Sequence, residues 1–245
     1  MLLAAIAGHA DIVPTTTRTQ AQFARIRLPA IEGARVAIVA NGAQILVGGR
    51  PDDTWAQHIR TLRESLTPPP AQLIEIVRDQ QARLGLDLSS VNAVEAVFVY
   101  AVARDVLTAE ALSASMLDAL ECTGWGVSRQ GRKVYVVPRS LTKAIAADYV
   151  LRTLRSHAEV PATSFAAGDA RLDQELLQWA DRAVVPRSAD AELKRVLDGR
   201  VEVTRGGGFP SAVDILLALQ DETRHSSLGV APLMHTNRHE SSEHV

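Results

Sequence analysis

The chain has 245 residues, 47% of them hydrophobic and 22% charged, with a formal net charge of -2. That is enough apolar sequence for one large domain or a domain carrying an insertion, and no basic stripe stands out of the kind that grips nucleic acid. A single cysteine, Cys122, excludes an internal disulfide framework and fits a reducing, cytoplasmic compartment. The apolar opening, residues 2–7, is too short to span a bilayer and lacks a basic flank, and no other run reaches membrane-spanning length.

Residues 2–8 read as the end of a helix capped by Gly8, followed by a short strand over Asp11-Ile12-Val13-Pro14. The cluster Thr15-Thr16-Thr17-Arg18 then precedes a helical stretch over 19–27. Hydroxyls and backbone N–H groups at a helix start make a phosphate seat, although N-capping by one threonine accounts for the same residues. Residues 35–40 form a continuous apolar run, as in a strand buried on both faces, and Asn41-Gly42 turns it into a return strand over 44–47.

From residue 50 the character changes. Helices are expected over 51–66 and 72–84, a strand over 95–102, and a helix over 108–120 with Thr108 as its N-cap. A hairpin follows, turning at Arg129-Gln130-Gly131-Arg132. Mixed helices and antiparallel strands between stretches of alternating strand and helix mark an inserted α+β domain over 50–137, set in an α/β core of 1–49 and 138–223. Trp125, Tyr135 and Tyr100 read as core or sheet-surface residues of the insertion.

After Pro138 the alternation resumes. Helices are expected over 140–156, 174–180, 189–197 and 210–220, and strands over 163–167, 182–185 and 201–203. Gly206-Gly207-Gly208 lacks the Gly-Lys-Ser/Thr of a P-loop and reads as a connector. Residues 224–245 show no periodicity and read as a disordered tail, whose histidines lack the spacing of a helical zinc site.

The chemistry concentrates at Ser164-Phe165-Ala166-Ala167-Gly168-Asp169-Ala170-Arg171-Leu172-Asp173. A short apolar strand ends in Gly-Asp, and a second Asp follows four residues on. Open parallel sheets hold their ligands at that edge, and two carboxylates on one turn suit a hard cation such as Mg²⁺. The competing reading is that Asp169 caps the next helix while Asp173 is a first-turn acid favoured by the helix dipole.

Taken together, Val13-Pro14-Thr15-Thr16-Thr17-Arg18, Val39-Ala40-Asn41-Gly42-Ala43, Lys143 and Gly168-Asp169-Ala170-Arg171-Leu172-Asp173 resemble, in order and spacing, the motifs of the haloacid-dehalogenase-like (HAD) phosphohydrolases. The branch they are most similar to is that of the sucrose-phosphatases and Cof-like enzymes. The resemblance spans about residues 10–222. It implies a Rossmann-like parallel-sheet core, with an α/β cap inserted between the second and third motifs. It also implies Mg²⁺-dependent hydrolysis of a small phosphorylated metabolite, such as a sugar phosphate, through an aspartyl-phosphate. By the same resemblance Thr16 and Lys143 bind the phosphoryl group, Arg18 and Asn41 contact substrate, and Asp169 and Asp173 serve the metal.

Two departures qualify it. Ala170 and Leu172 stand where the fourth motif usually has Ser and Asn. The first motif, Asp-x-Asp-x-Thr, which supplies the nucleophile and general acid from the central strand, is missing, and no Asp-x-Asp pair occurs anywhere in the chain. Without that first strand, the segments near Ile12 and Phe165 must pair with each other or leave backbone groups unpaired, at a cost of about 1–3 kcal/mol each. The expectation is that Met1 is internal to a longer product. The alternative is a non-catalytic HAD-like ligand-binding or interaction protein.

Overall fold

A computed structural model describes residues 6–26, 34–155 and 163–227. Residues 2–5, most of the expected first helix, lie outside these, as do 228–245. Ile6 and Ala7 are helical and the chain turns at Gly8. The strand expected over 11–14 is reduced to one parallel bridge, Thr15 to Ile38. The helix expected over 19–27 is a single turn, α1 (Gln20–Phe23), closed by a reciprocal capping box between Thr19 and Gln22.

β1 (Val36–Val39) is buried at all four positions, as its unbroken aliphatic run dictates. It pairs antiparallel with β2 (Gln44–Val47), which pairs with the two-residue β3 (Arg50–Pro51). α2 (Asp53–Ser65) starts at Asp52, whose carboxylate accepts from the N–H of Trp55 at 2.7 Å and from the Tyr149 hydroxyl at 2.9 Å. α3 (Leu73–Leu84) ends on Gly85 in the left-handed conformation.

The next hairpin departs from expectation. Residues 95–97 are its turn rather than the start of a strand, joining β4 (Leu88–Val94) to β5 (Phe98–Ala103). Glu95 and Ala96 both take positive φ, a turn usually signalled by Asn or Gly. α4 (Val106–Ala119) begins two residues early because Asp105, not Thr108, is the N-cap: its carboxylate accepts from the N–H of Thr108 at 2.7 Å. β6 (Trp125–Gln130) and β7 (Lys133–Pro138) form the expected hairpin and complete a four-stranded antiparallel sheet of order β4-β5-β7-β6.

α5 (Lys143–Arg155) returns the chain to the parallel region. There β8 (Phe165–Ala167) leads through a short 3₁₀ turn into α6 (Gln174–Trp179), followed by β9 (Arg182–Val185), α7 (Ala191–Val196) and β10 (Glu202–Val203). The three strands pair in parallel, in the order β10-β9-β8. α8 (Phe209–Ser227) continues past the expected end, so residues 224–227 are helical rather than part of a disordered tail. It is fastened by Arg182, whose Nη1 donates to the buried Glu222 carboxylate at 2.6 Å. The glycine triplet ahead of it is tied down, with Gly206 N–H donating to Asp214 and its carbonyl accepting from Thr204 and Ser211.

Two apolar clusters organise the molecule. The larger joins β1, β2, α2 and α3 to the antiparallel sheet and includes Trp55, Phe98, Met116 and Trp125. The smaller lies around β8, β9, α6 and α7 and has only aliphatic members in its buried centre. Ala147 of α5 packs against both. The segments near Ile12 and Phe165 do not pair among the described residues. Between them lies a cavity of about 460 Å³ lined by Val13, Thr15, Ile38, Val150, Phe165 and Ala166. No helix among the described residues is long and apolar enough to cross a membrane.

Candidate functional site

The site is built where the parallel bridge, the β1 turn, the start of α5 and the β8 turn meet. Thr16 N–H donates to the Ile38 carbonyl at 2.9 Å, which holds the threonine loop against β1. The Thr16 carbonyl accepts from Asn41 N–H at 2.9 Å, and its hydroxyl accepts from Arg18 N–H at 3.2 Å. Arg18 adds a carbonyl bond to Ala40 N–H at 2.7 Å, and its side chain is exposed.

Ala40 and Asn41 both take positive φ, 50° and 56°, a conformation that costs residues other than glycine about 1–3 kcal/mol. Asn41 is 2% exposed and its Oδ1 has no hydrogen-bond partner among the described residues. Gly42 follows because the turn comes hard against α5: a Cβ there would lie 3.0 Å from the Thr142 carbonyl oxygen. The threonine loop is thereby linked through Asn41-Gly42 to the residue just before Lys143.

Lys143 is the first residue of α5, where the positive end of the helix disfavours a cation, yet its side chain is buried. The compensation is Asp173, also buried, whose Oδ1 accepts from Lys143 Nζ. The other oxygen of Asp173 accepts from the N–H groups of Asp169 and Ala170, both at 3.0 Å. Gly168 permits this turn, since a Cβ there would stand 2.5 Å from the Asp173 Cβ. Both oxygens of Asp173 are therefore engaged in holding Lys143 and the turn. Asp169 is exposed, and its carboxylate makes no hydrogen bond or ion pair among the described residues.

Among the described residues no group of three or more His, Cys, Asp or Glu could hold a metal. The free Asp169 carboxylate nevertheless fits one ligand position of Mg²⁺, an ion held by one or two carboxylates together with phosphate oxygens and water. A basic group and a free carboxylate on one hydrogen-bonded turn, with a hydroxyl-bearing loop brought against the same helix start by the packing of Gly42, make an arrangement suited to a phosphoryl group with a divalent cation.

Sequence reasoning missed the neighbouring cleft, about 530 Å³, between β6 and the β8 turn. Its lining includes Asn41, Ser128, Arg129, Arg139, Thr142 and Arg171. Arg171 sits inside the Gly-Asp-Ala-Arg-Leu-Asp motif and could have been singled out there. Arg139 carried no signal, because its exposure to the cleft depends on the β6–β7 pairing. On the same sheet Tyr135 is 4% exposed, and burial pushes its phenol above the usual range, partly opposed by a hydrogen bond with the Thr17 side chain.

Comparison with solved structures defines the class: the chain has the fold of the HAD phosphatases, a Rossmann-like core with additional α+β structure. Sucrose-phosphatase from Synechocystis sp. PCC6803, solved with sucrose and phosphate, matches with a TM-score of 0.64 and 16% identity, over 89% of this chain and 88% of its own. A HAD subclass IIB sugar phosphatase matches at 0.60 and 16% over 94% and 90%. A haloacid dehalogenase-like hydrolase from B. subtilis matches at 0.53 and 16% over 89% and 90%. Identities this low establish the fold alone. No family model matches the chain, and no curated protein sequence matches it.

Proposed function

We propose that this chain is the greater part of a HAD-type phosphatase acting on a small phosphorylated metabolite, with a sugar phosphate as the substrate class. The observation that carries the reading is the buried Lys143–Asp173 pair, joined through the Asn41-Gly42 turn to Thr16 and through the β8 turn to Asp169. A lysine held inside a helix start by one carboxylate retains donors for an anion. Thr16 and Lys143 bind the phosphoryl oxygens, Asp173 positions Lys143, and Asn41 contacts the remainder of the substrate, with Arg18 at the loop's outer side. Mg²⁺, taken with Asp169 as the ligand this chain supplies, would neutralise phosphate charge. Residues 50–137 act as the cap over a core of 1–49 and 138–223, and shield the site from water.

The sequence holds no Asp-x-Asp nucleophile, so hydrolysis needs a carboxylate from a segment that this sequence does not contain. The cavity between Thr15 and β8 supports that reading, because it separates two segments that each have an edge unpaired among the described residues. The same lack of Asp-x-Asp favours the second reading, a protein that binds a phosphorylated ligand without turnover.

The test is hydrolysis of an aryl phosphate with Mg²⁺ by this chain and by a form extended upstream in its gene, alongside calorimetric titration of this chain with inorganic phosphate. Phosphate binding by this chain with turnover only in the extended form is the expected result. Binding with no turnover in either form would favour the second reading. Absence of binding in the folded chain would overturn both.

A further inference from the structure

Three buried side-chain polar atoms among the described residues lack a hydrogen-bond partner, and two of them, Asn41 Oδ1 and Arg171 Nη1, belong to residues lining the cleft between β6 and the β8 turn. One is an acceptor and the other a cationic donor. An orphaned buried acceptor is costly, so Asn41 Oδ1 calls for a donor, while Arg171 Nη1, unaligned beside the Glu192 carboxylate, is a cation that an anion in the cleft can share.

The cations of the cleft are not equally committed. Arg129 pairs with Glu110 at 3.1 Å. Arg171 Nη1 lies 3.2 Å from Glu192 Oε1 but without hydrogen-bond alignment, and with the Glu192 side chain exposed the pair is weak. Arg139 is exposed, and its guanidinium has no hydrogen bond or ion pair among the described residues. Its stem is laid against β6 at Gly126, where a Cβ would meet the Arg139 Cγ at 3.5 Å. The acids of the cleft are partly spent: Asp190 caps α7 through Leu193 N–H at 2.9 Å and Glu192 faces Arg171, while Glu175 makes no hydrogen bond or ion pair among the described residues. Arg139 also lies four residues before Lys143, no more than about 14 Å along the chain, which a small metabolite with a group at each end can bridge.

We infer that the cleft receives the part of the substrate remote from the phosphoryl group, and that this part carries a second anionic group bound by Arg139 and Arg171, with a nearby hydroxyl donating to Asn41 Oδ1. The second anion is a carboxylate or a second phosphate, since a guanidinium fork accepts either. The inference rests on Thr16 and Lys143 as the phosphoryl site. It adds that a neutral sugar phosphate is the weaker ligand.

The test is calorimetric titration of the full chain, with Mg²⁺, using glycerol 1-phosphate, 3-phosphoglycerate and fructose 1,6-bisphosphate. At least one of the two doubly anionic compounds should bind about tenfold tighter than glycerol 1-phosphate, the size of one charge-assisted hydrogen bond. Which of them gains tells carboxylate from phosphate. Arg171→Met and Arg139→Met should each bring the tighter ligand down toward glycerol 1-phosphate; the exposed Arg139 keeps the test independent of any damage to the β8 turn. Equal affinities, or a preference that survives Arg139→Met, would overturn the inference while leaving the phosphoryl site standing. Failure of all three compounds to bind the folded chain would overturn both.

Discussion

The antiparallel region and the parallel region of this molecule are stabilised very differently. The first packs both faces with bulky side chains: Trp125 and Phe98 are almost fully buried, and the Trp125 indole N–H donates to the Pro68 carbonyl at 2.8 Å. The second has three short strands, a small aliphatic cluster and a cavity at the edge of β8. The candidate chemistry sits on the weaker side, at the β8 turn, whereas the stronger side supplies one wall of the cleft. Buried aromatic area lets that wall keep its shape, and the β8 turn depends instead on a single polar network around Asp173.

The most severe way to break that contrast is Trp125→Ala, which removes a fully buried aromatic and leaves the Pro68 carbonyl without its donor. It should cost about 3–5 kcal/mol, read as a lowered midpoint in denaturant unfolding followed by far-ultraviolet circular dichroism. An effect below about 1 kcal/mol would show that the antiparallel region is not the stronger one.

Lys143→Met probes the seam between the regions. It leaves the Asp173 carboxylate buried and unpaired, with an expected loss of about 3 kcal/mol or more, together with loss of inorganic phosphate binding by calorimetry. A variant that kept phosphate affinity would remove Lys143 from the site.

The smallest effect concerns pH. Tyr135 has its phenol raised in the fold by burial, so the unfolded chain releases that proton first as pH climbs above about 10. The stability that Tyr135 contributes is full below the unfolded value and is lost as pH rises through the folded one. Unfolding midpoints should fall over that interval and fall less in Tyr135→Phe; identical slopes would assign the dependence to other groups.

Much of this fold was legible in periodicity. The run over 35–40, the helices after residues 50 and 72 and the hairpin at Gly131 all follow from apolar spacing and turn chemistry. The errors have local causes. Glu95-Ala96 turns a hairpin without the residues that usually mark one, so nothing in the sequence marked β4 as a strand. Asp105 and Thr108 are both competent caps, and the structure uses Asp105, opening a helix that buries Ala109, Leu112 and Met116. At the site, the Gly-Asp turn and the lysine at the helix start could be picked from their residue types. That Asp173 spends both oxygens inside the protein could not, because it depends on the approach of α5 to the β8 turn. Arg139 was invisible because its place on the cleft depends on the β6–β7 pairing.

Ala147 packs against both apolar clusters, and Lys143 lies one turn earlier on the same helix. α5 is thus shared by two units that would otherwise open independently, each with its own free energy of local unfolding. An anion held by Lys143, as proposed, would grip the end of that shared helix, and its binding energy would add to the opening cost of both units. Amide exchange should therefore slow together in β5 and in β9, strands that make no contact with the anion.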